Sequence, residues 1–206
     1  MKEFQTKDIR NVALIGAAKS GKTTLAENML FEGKLINRKG STDEKNTVSD
    51  YRQIEMERQI SVNASMMYTF YNDKKINILD TPGFSDFSGD IVSCLTAADI
   101  AVCTVNAQSG VEATTENAWR HAANTHKPVV FFMNQLDHSN ANFDNAIREL
   151  KDYFGDKVTP IQYPVNAGED FNVVIDLIMM KMLVFKNGNG APEIQDIPAA
   201  EMAKAE

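Results

Sequence analysis

Short apolar, β-branched runs alternate along the chain with stretches whose apolar positions recur every three or four residues, and this alternation sets the expected elements. Asn11-Val-Ala-Leu-Ile15 reads as a buried strand, and Thr24 to Phe31, with Leu25, Met29 and Leu30, as a helix. Gly33 to Ile60 is rich in charge and has little period, so it reads as a loop or mobile segment. Ser65–Tyr71 and Lys75–Asp80 flank the turn-rich Asn72-Asp73-Lys74 and read as an antiparallel hairpin. Strands over Ile100–Asn106, Pro128–Met133 and Thr159–Val165 then interleave with helices over Val111–Asn124 and Phe143–Phe154. The apolar run Phe171–Phe185, broken by Asp176 and Lys181, fits either a helix or a pair of strands. Asn187-Gly-Asn-Gly190 reads as a turn, and the Ala/Glu/Lys-rich Pro198–Glu206 as the start of a helix. The expected class is α/β: a mainly parallel sheet with one antiparallel strand and helices on both faces.

Composition narrows the function classes. The 206 residues are 43% apolar and carry a formal charge of −7, enough for a real core and adverse to free DNA or RNA as a partner. Cys94 and Cys103 sit in apolar segments and read as buried thiols rather than a disulfide, which suggests a reducing compartment. No run approaches the length of a membrane span, and the polar N-terminus lacks the apolar core of a signal peptide. A cytoplasmic, monomeric protein is expected. His121, His126 and His138 lack metal-ligand spacing, and Met179, Met180 and Met182 read as core. Trp119 and Arg120 read as one buried and one solvated residue of a helix.

The chemistry concentrates in Gly16-Ala17-Ala18-Lys19-Ser20-Gly21-Lys22-Thr23, a G-x-x-x-x-G-K-T string between a strand and a helix. The bland alternative is a glycine turn before a helix, but the flanking elements occur in the order a P-loop requires. Gly16 and Gly21 let successive N–H groups face a phosphate, and the helix N-terminus adds its positive dipole end. Lys22 is expected on the β- and γ-phosphates, and the Thr23 hydroxyl on Mg²⁺. The fold is therefore expected to be that of a P-loop NTPase. Asp80-Thr81-Pro82-Gly83 closes the second hairpin strand. Asp80 there is placed to hold Mg²⁺, and Gly83 to bring its N–H close to a γ-phosphate. Asn134-Gln135-Leu136-Asp137 follows the 128–133 strand. Alone it would be a helix-capping loop. After the two preceding motifs it is similar to the guanine-binding N-K-x-D string. Asp137 can accept from guanine N1–H and the 2-amino group, which adenine lacks, a basis for rejecting adenine by about 10⁴-fold. Asn134 would brace the P-loop, and Gln135 stands where lysine is usual and can still cover one face of the base.

These motifs resemble the GTPase domain of the translational GTPases, elongation factor G in particular. The resemblance also runs through Gly21-Lys-Thr-Thr24, Glu57-Arg-Gln-Ile-Ser61, Ile76 to Phe87, Gly110-Val-Glu112, Trp119-Arg120 and Gly168-Glu-Asp-Phe171 to Lys181. It implies GTP/GDP and Mg²⁺ as ligands, with Thr24 included in the nucleotide site. It also implies a longer parent factor that acts on the ribosome in translocation, of which this chain is a fragment. Residues 1–166 would be the GTPase domain and 167–206 the start of an inserted subdomain. The family's Ser-Ala capping loop follows that insertion, and Val165-Asn166-Ala167 is the candidate for its role within this chain.

The resemblance also marks four departures. The catalytic position after D-T-P-G holds Phe84 in place of a histidine that orients the attacking water, a loss worth about 10²–10⁴-fold. The switch I threonine that binds Mg²⁺ is Ser61, which keeps the hydroxyl, and Gln59 replaces a flexible glycine. Lys19 replaces an aspartate that supports a monovalent cation, and its ammonium either takes over that charge or points to solvent. Gln135 is the fourth. Hydrolysis by Lys22, Gly83 and Mg²⁺ is thus expected to be weakened. The rival readings are a GTP-dependent binding switch with little hydrolysis, a ribosomal protection factor of the tetracycline-resistance type, and an ATPase.

Overall fold

The computed structural model describes residues 3–186 and 190–205. The expected turn at 187–190 falls largely outside them, as does Glu206. Two compact units emerge, one of residues up to Val105 together with Glu112–Asn134, the other of Asn106–Val111 together with the residues from Gln135 on.

The first unit holds a five-stranded sheet of β1 (Ile9–Gly16), β2 (Ser65–Tyr71), β3 (Lys74–Asp80), β4 (Ile100–Asn106) and β5 (Val129–Asn134), in the order β2-β3-β1-β4-β5. β1 runs parallel to β3 and β4, and β2 is antiparallel to β3. Asn72 and Asp73 both have positive φ, so the β2–β3 connection is a two-residue turn of the kind whose twist matches paired strands. Lys74, expected in the turn, is already paired with Tyr71.

Helix α1 (Lys22–Glu32) covers one face of the sheet, packing Ala26 and Leu30 against Leu14, Met67 and Ile78. Side chains alternate along a strand, so Ala13 and Ile15 point to the other face, and both are fully buried. On β1 they lie beneath α3 (Ser88–Ala97) and α4 (Ala113–Asn124), which pack on that strand and on each other. Helix α3 has no counterpart in the expected elements. Ser, Gly, Asp and Thr give it poor intrinsic propensity, and it is held by burial of Ile91, Cys94 and Leu95. The expected 33–60 loop also contains a short helix, α2 (Gln53–Arg58). Cys94 and Cys103 are free thiols. Trp119 is half-buried and stacks on Phe131, while Arg120 pairs with Glu116 in solvent.

The second unit contains α5 (Phe143–Phe154), an antiparallel sheet of β6 (Gln162–Pro164), β7 (Val173–Asp176), β8 (Lys181–Val184) and β9 (Glu193–Gln195), and α6 (Ala199–Ala205). The ambiguous 171–185 run is thus a pair of strands. Its turn is built by the Asp176 carboxylate, which accepts the N–H groups of Ile178 and Met179 at 2.9 and 2.8 Å. Met179 and Met180 lie exposed on that turn and are not core residues; only Met182 packs against the Tyr163, Ile175 and Ile197 cluster. No helix among the described residues is long and apolar enough to cross a membrane.

Candidate functional site

At the carboxyl end of β1 the chain turns through the glycine loop into α1, which begins from a left-handed Gly21. A Cβ on Gly21 would collide with the Asn134 carboxamide, so the loop can approach the end of β5 only as glycine. That carboxamide donates from Nδ2 to the Ser20 carbonyl at 2.9 Å. The Ser20 hydroxyl is 2.5 Å from the Thr104 hydroxyl on β4. Asn134 and Ser20 therefore bind the loop to two neighbouring strands. Ala17 is buried and Ala18 half-buried, while Lys19 is exposed with φ +62°. Thr24 is exposed at the start of the helix.

The Lys22 ammonium is buried and donates to the Gly16 and Ala17 carbonyls at 3.1 and 2.8 Å. Burial pushes its pKa below the usual lysine range, and the Asp80 carboxylate is the first of the charges opposing that shift. Beside it, Asp80 at the end of β3 is 1% exposed, and burial raises its carboxyl above the usual range. The hydroxyls of Thr23 and Ser49 both donate to Asp80 Oδ2 at 2.7 Å, and the Ser61 hydroxyl lies 3.4 Å from that of Thr23. Asp80 Oδ1 is buried without a hydrogen-bond partner among the described residues.

After Asp80 the turn is pinned by the Thr81 hydroxyl, which donates to the Leu14 carbonyl at 2.7 Å. This sets Gly83 against the glycine loop. A Cβ on Gly83 would meet Ala18 N at 2.5 Å and Lys22 Nζ at 2.6 Å. Phe84 follows, 39% exposed, at the head of a single 3₁₀ turn over Ser85–Phe87.

Lys22, Thr23, Ser61, Asp80, Gly83 and Asn134, all in the first unit, are brought together by these contacts. Gln135 and Asp137 belong to the second unit and are described within it. Gln135 has φ +59°, and its side-chain carbonyl accepts from Asn106 Nδ2 at 2.5 Å. The Leu136 carbonyl accepts the Gly168 N–H at 2.7 Å, so the 165–168 segment lies beside the 135–137 turn. Asp137 is exposed.

Sequence reasoning missed the groups that order the 33–64 segment. Glu27 of α1 is 1% exposed and accepts the N–H groups of Gly40 and Val48 at 2.8 and 2.5 Å. Glu55 is equally buried and accepts from Val62 and Asn63 at 3.0 and 3.2 Å, and from Arg52 at the start of α2. Asp90 accepts from Ala64 at 2.7 Å. The 33–60 stretch, read as a loop or mobile segment, is thus tethered by Glu27 and Glu55, and residues 62–64 after it by Glu55 and Asp90. One signal was available: Glu27 falls on the buried face of α1 with Thr23, Ala26 and Leu30, where an acidic residue needs partners. Buried Asp50, whose carboxyl is raised by burial, was likewise missed.

Among the described residues no three His, Cys, Asp or Glu lie together as a metal cluster. The oxygen groups gathered here are the Asp80 carboxylate and the hydroxyls of Thr23, Ser49 and Ser61, with the buried Asp50 carboxylate bonded to Ser61 beside them. Such hard oxygen donors suit Mg²⁺, which takes one or two protein ligands and fills the rest with phosphate and water. The unpartnered Asp80 oxygen fits that use.

Comparison with known proteins agrees with this geometry. A family model described as the elongation factor Tu GTP binding domain matches residues 7–199. Elongation factor G of Petrotoga mobilis is 36% identical over 192 residues, 92% of this chain and 28% of that protein. Elongation factor G of Mycoplasma genitalium is 34% identical over 195 residues, 95% of this chain and 28% of that protein. A crystal structure of a Thermus thermophilus protein superposes with a TM-score of 0.88 at 30% identity, covering 96% of this chain and 29% of the other. The chain spans under a third of the length of these relatives.

Proposed function

Since the chain belongs to the translational GTPases, as a GTPase domain of the elongation factor G type, we propose that it is the nucleotide-dependent switch of a ribosome-directed factor working in translocation, with slowed hydrolysis. The observation that carries this reading is the meeting of Lys22, Thr23, Asp80 and Gly83 around the glycine loop. In this reading Lys22 exchanges its loop carbonyls for the β- and γ-phosphates of GTP. Its ammonium then stabilises charge that grows on the transferring group. The Gly83 N–H would face the γ-phosphate, and Thr23, Ser61 and Asp80 would hold Mg²⁺. That ion, when bound, supplies neutralisation of the phosphate charge. Asp137 accepts from guanine and excludes adenine, and Asn134 braces the loop below the base.

Phe84 decides the rate. A phenyl ring offers no lone pair to orient water and no proton to exchange, so nothing at this position aligns the nucleophile. Switch segments around Ser61 and Gly83 still sense the γ-phosphate, so GTP binding can control ribosome affinity even when turnover is slow. Residues from 167 on form the start of an inserted subdomain, and the factor acts as a cytoplasmic monomer in this reading. Single-turnover GTP hydrolysis on ribosomes, by the parent factor and its Phe84→His variant, tests it. The expectation is slow hydrolysis that histidine accelerates by about 10²-fold. A fast parent, or a variant no faster, overturns it.

A further inference from the structure

Asn106, the last residue of β4, is clamped at both ends. Its Oδ1 accepts the Gln108 N–H at 2.7 Å and its backbone carbonyl accepts the Gly110 N–H at 2.9 Å. With Oδ1 committed to a backbone donor, Nδ2 is the end that remains for Gln135, whose side-chain carbonyl it meets at 2.5 Å. Both carboxamides therefore have a fixed orientation. Gln135 itself carries a left-handed backbone, and the following residue is pinned through its carbonyl by the Gly168 N–H. A glutamine has several rotatable bonds, and a side chain that must be ordered only when ligand arrives weakens binding.

We propose that Asn106 is a positioning residue for the base: it holds the Gln135 side chain ready to cover one face of guanine. This rests on the guanine reading of residues 134–137 given above. Nothing in the motif itself requires Asn106, and its effect passes wholly through Gln135.

The pair suggests its own exchange. Asn106→Asp keeps the acceptor that Gln108 needs, and the Gln135 amide can meet the new carboxylate by turning so that Nε2 donates. Gln135→Lys sets an ammonium against the Asn106 Nδ2 donor. Only Gln135→Lys breaks the contact on its own, while the double variant replaces an amide pair with an ion pair. GDP affinity of the 206-residue chain, measured by calorimetry with Mg²⁺, is expected to fall about tenfold in Gln135→Lys, to change less than about twofold in Asn106→Asp, and to return close to the parent value in the double. In a Gln135→Ala background, Asn106→Asp is expected to leave the affinity unchanged. A Gln135→Lys variant that binds like the parent, a double variant as weak as Gln135→Lys alone, or a further loss in the alanine background would each overturn the proposal. The alanine background keeps the question open to test should a charged single variant fail to fold. A parent chain that binds no GDP, or binds ADP as well, would instead overturn the guanine reading itself.

Discussion

Glu27 and Val48, 21 residues apart, are joined by a 2.5 Å hydrogen bond from the Val48 N–H to the buried Glu27 carboxylate. The same side chain takes the Gly40 N–H, so one residue of the helix after the glycine loop fixes two points of the segment that leads to Ser61. Removing it leaves two backbone donors without their acceptor. Glu27→Ala is expected to lower stability by about 2–4 kcal/mol in urea unfolding. Limited proteolysis should then cut between residues 38 and 52 much faster than in the parent. An unchanged cleavage pattern would show that other tethers suffice.

Gly83→Ala tests how close the turn after β3 must come to the loop. The added methyl would stand 2.5 Å from a backbone nitrogen of the loop and 2.6 Å from the Lys22 ammonium, and only the latter can yield easily. The turn must therefore move off the loop. A loss of about tenfold or more in GTP affinity is expected, with GDP less affected. Equal losses for both nucleotides would place the damage at Lys22 instead.

Asp80→Asn probes the metal side. The amide keeps an acceptor for the Thr23 and Ser49 hydroxyls but withdraws the charge. Nucleotide affinity in excess Mg²⁺ is expected to drop about 10–100-fold, with a much smaller change when EDTA is present. The difference between the two conditions, read by calorimetry or fluorescent-nucleotide displacement, isolates the ion's share.

The cysteines supply a chemical clock for unfolding. Burial pushes the Cys103 thiol up to about 12 and the Cys94 thiol to about 11. At pH 8 the reactive thiolate is then only about one part in 10³ to 10⁴ of each in the folded chain. Because a raised thiol pKa leaves the neutral form dominant until the pH approaches that value, reaction with a disulfide reagent at pH 8 should be slow. It should become fast only in denaturant, and rapid labelling of the native chain would show that these segments open.

Much of the first unit was legible in the sequence because local pattern and tertiary packing agree there. β1, the hairpin and the turn into α1 are apolar runs broken by glycine, asparagine and aspartate; in the second unit, α5 carries a regular apolar stripe over the residues expected. The rest failed for identifiable reasons. Helix α3 is a weak helix former rescued by packing, so propensity argued against it. Helix α2 is stabilised by Glu55 accepting backbone N–H groups, an arrangement without hydrophobic period. The 171–185 run hid its turn because Leu177, Ile178, Met179 and Met180 are apolar, and the bend is made by Asp176 and by Met180 at φ +50°. At the site, the glycine loop, Asp80 and Gly83 could be read from motif and position. The partners of the Glu27 and Glu55 carboxylates could not, since they are backbone groups 13 and 21 residues ahead of Glu27 and 7 and 8 ahead of Glu55.

The packing of Gly21 beneath the Asn134 carboxamide means that these two positions cannot vary independently. Any side chain at 21 evicts the amide that holds Ser20, so a substitution in the phosphate loop would register as a defect on the base side. Shortening residue 134 would remove that obstacle but also the amide that holds Ser20, and alanine at 21 would still be strained at φ +98°. Both orders of change therefore pass through a chain whose phosphate loop has lost its hold on β5, and a drifting lineage is barred in either direction.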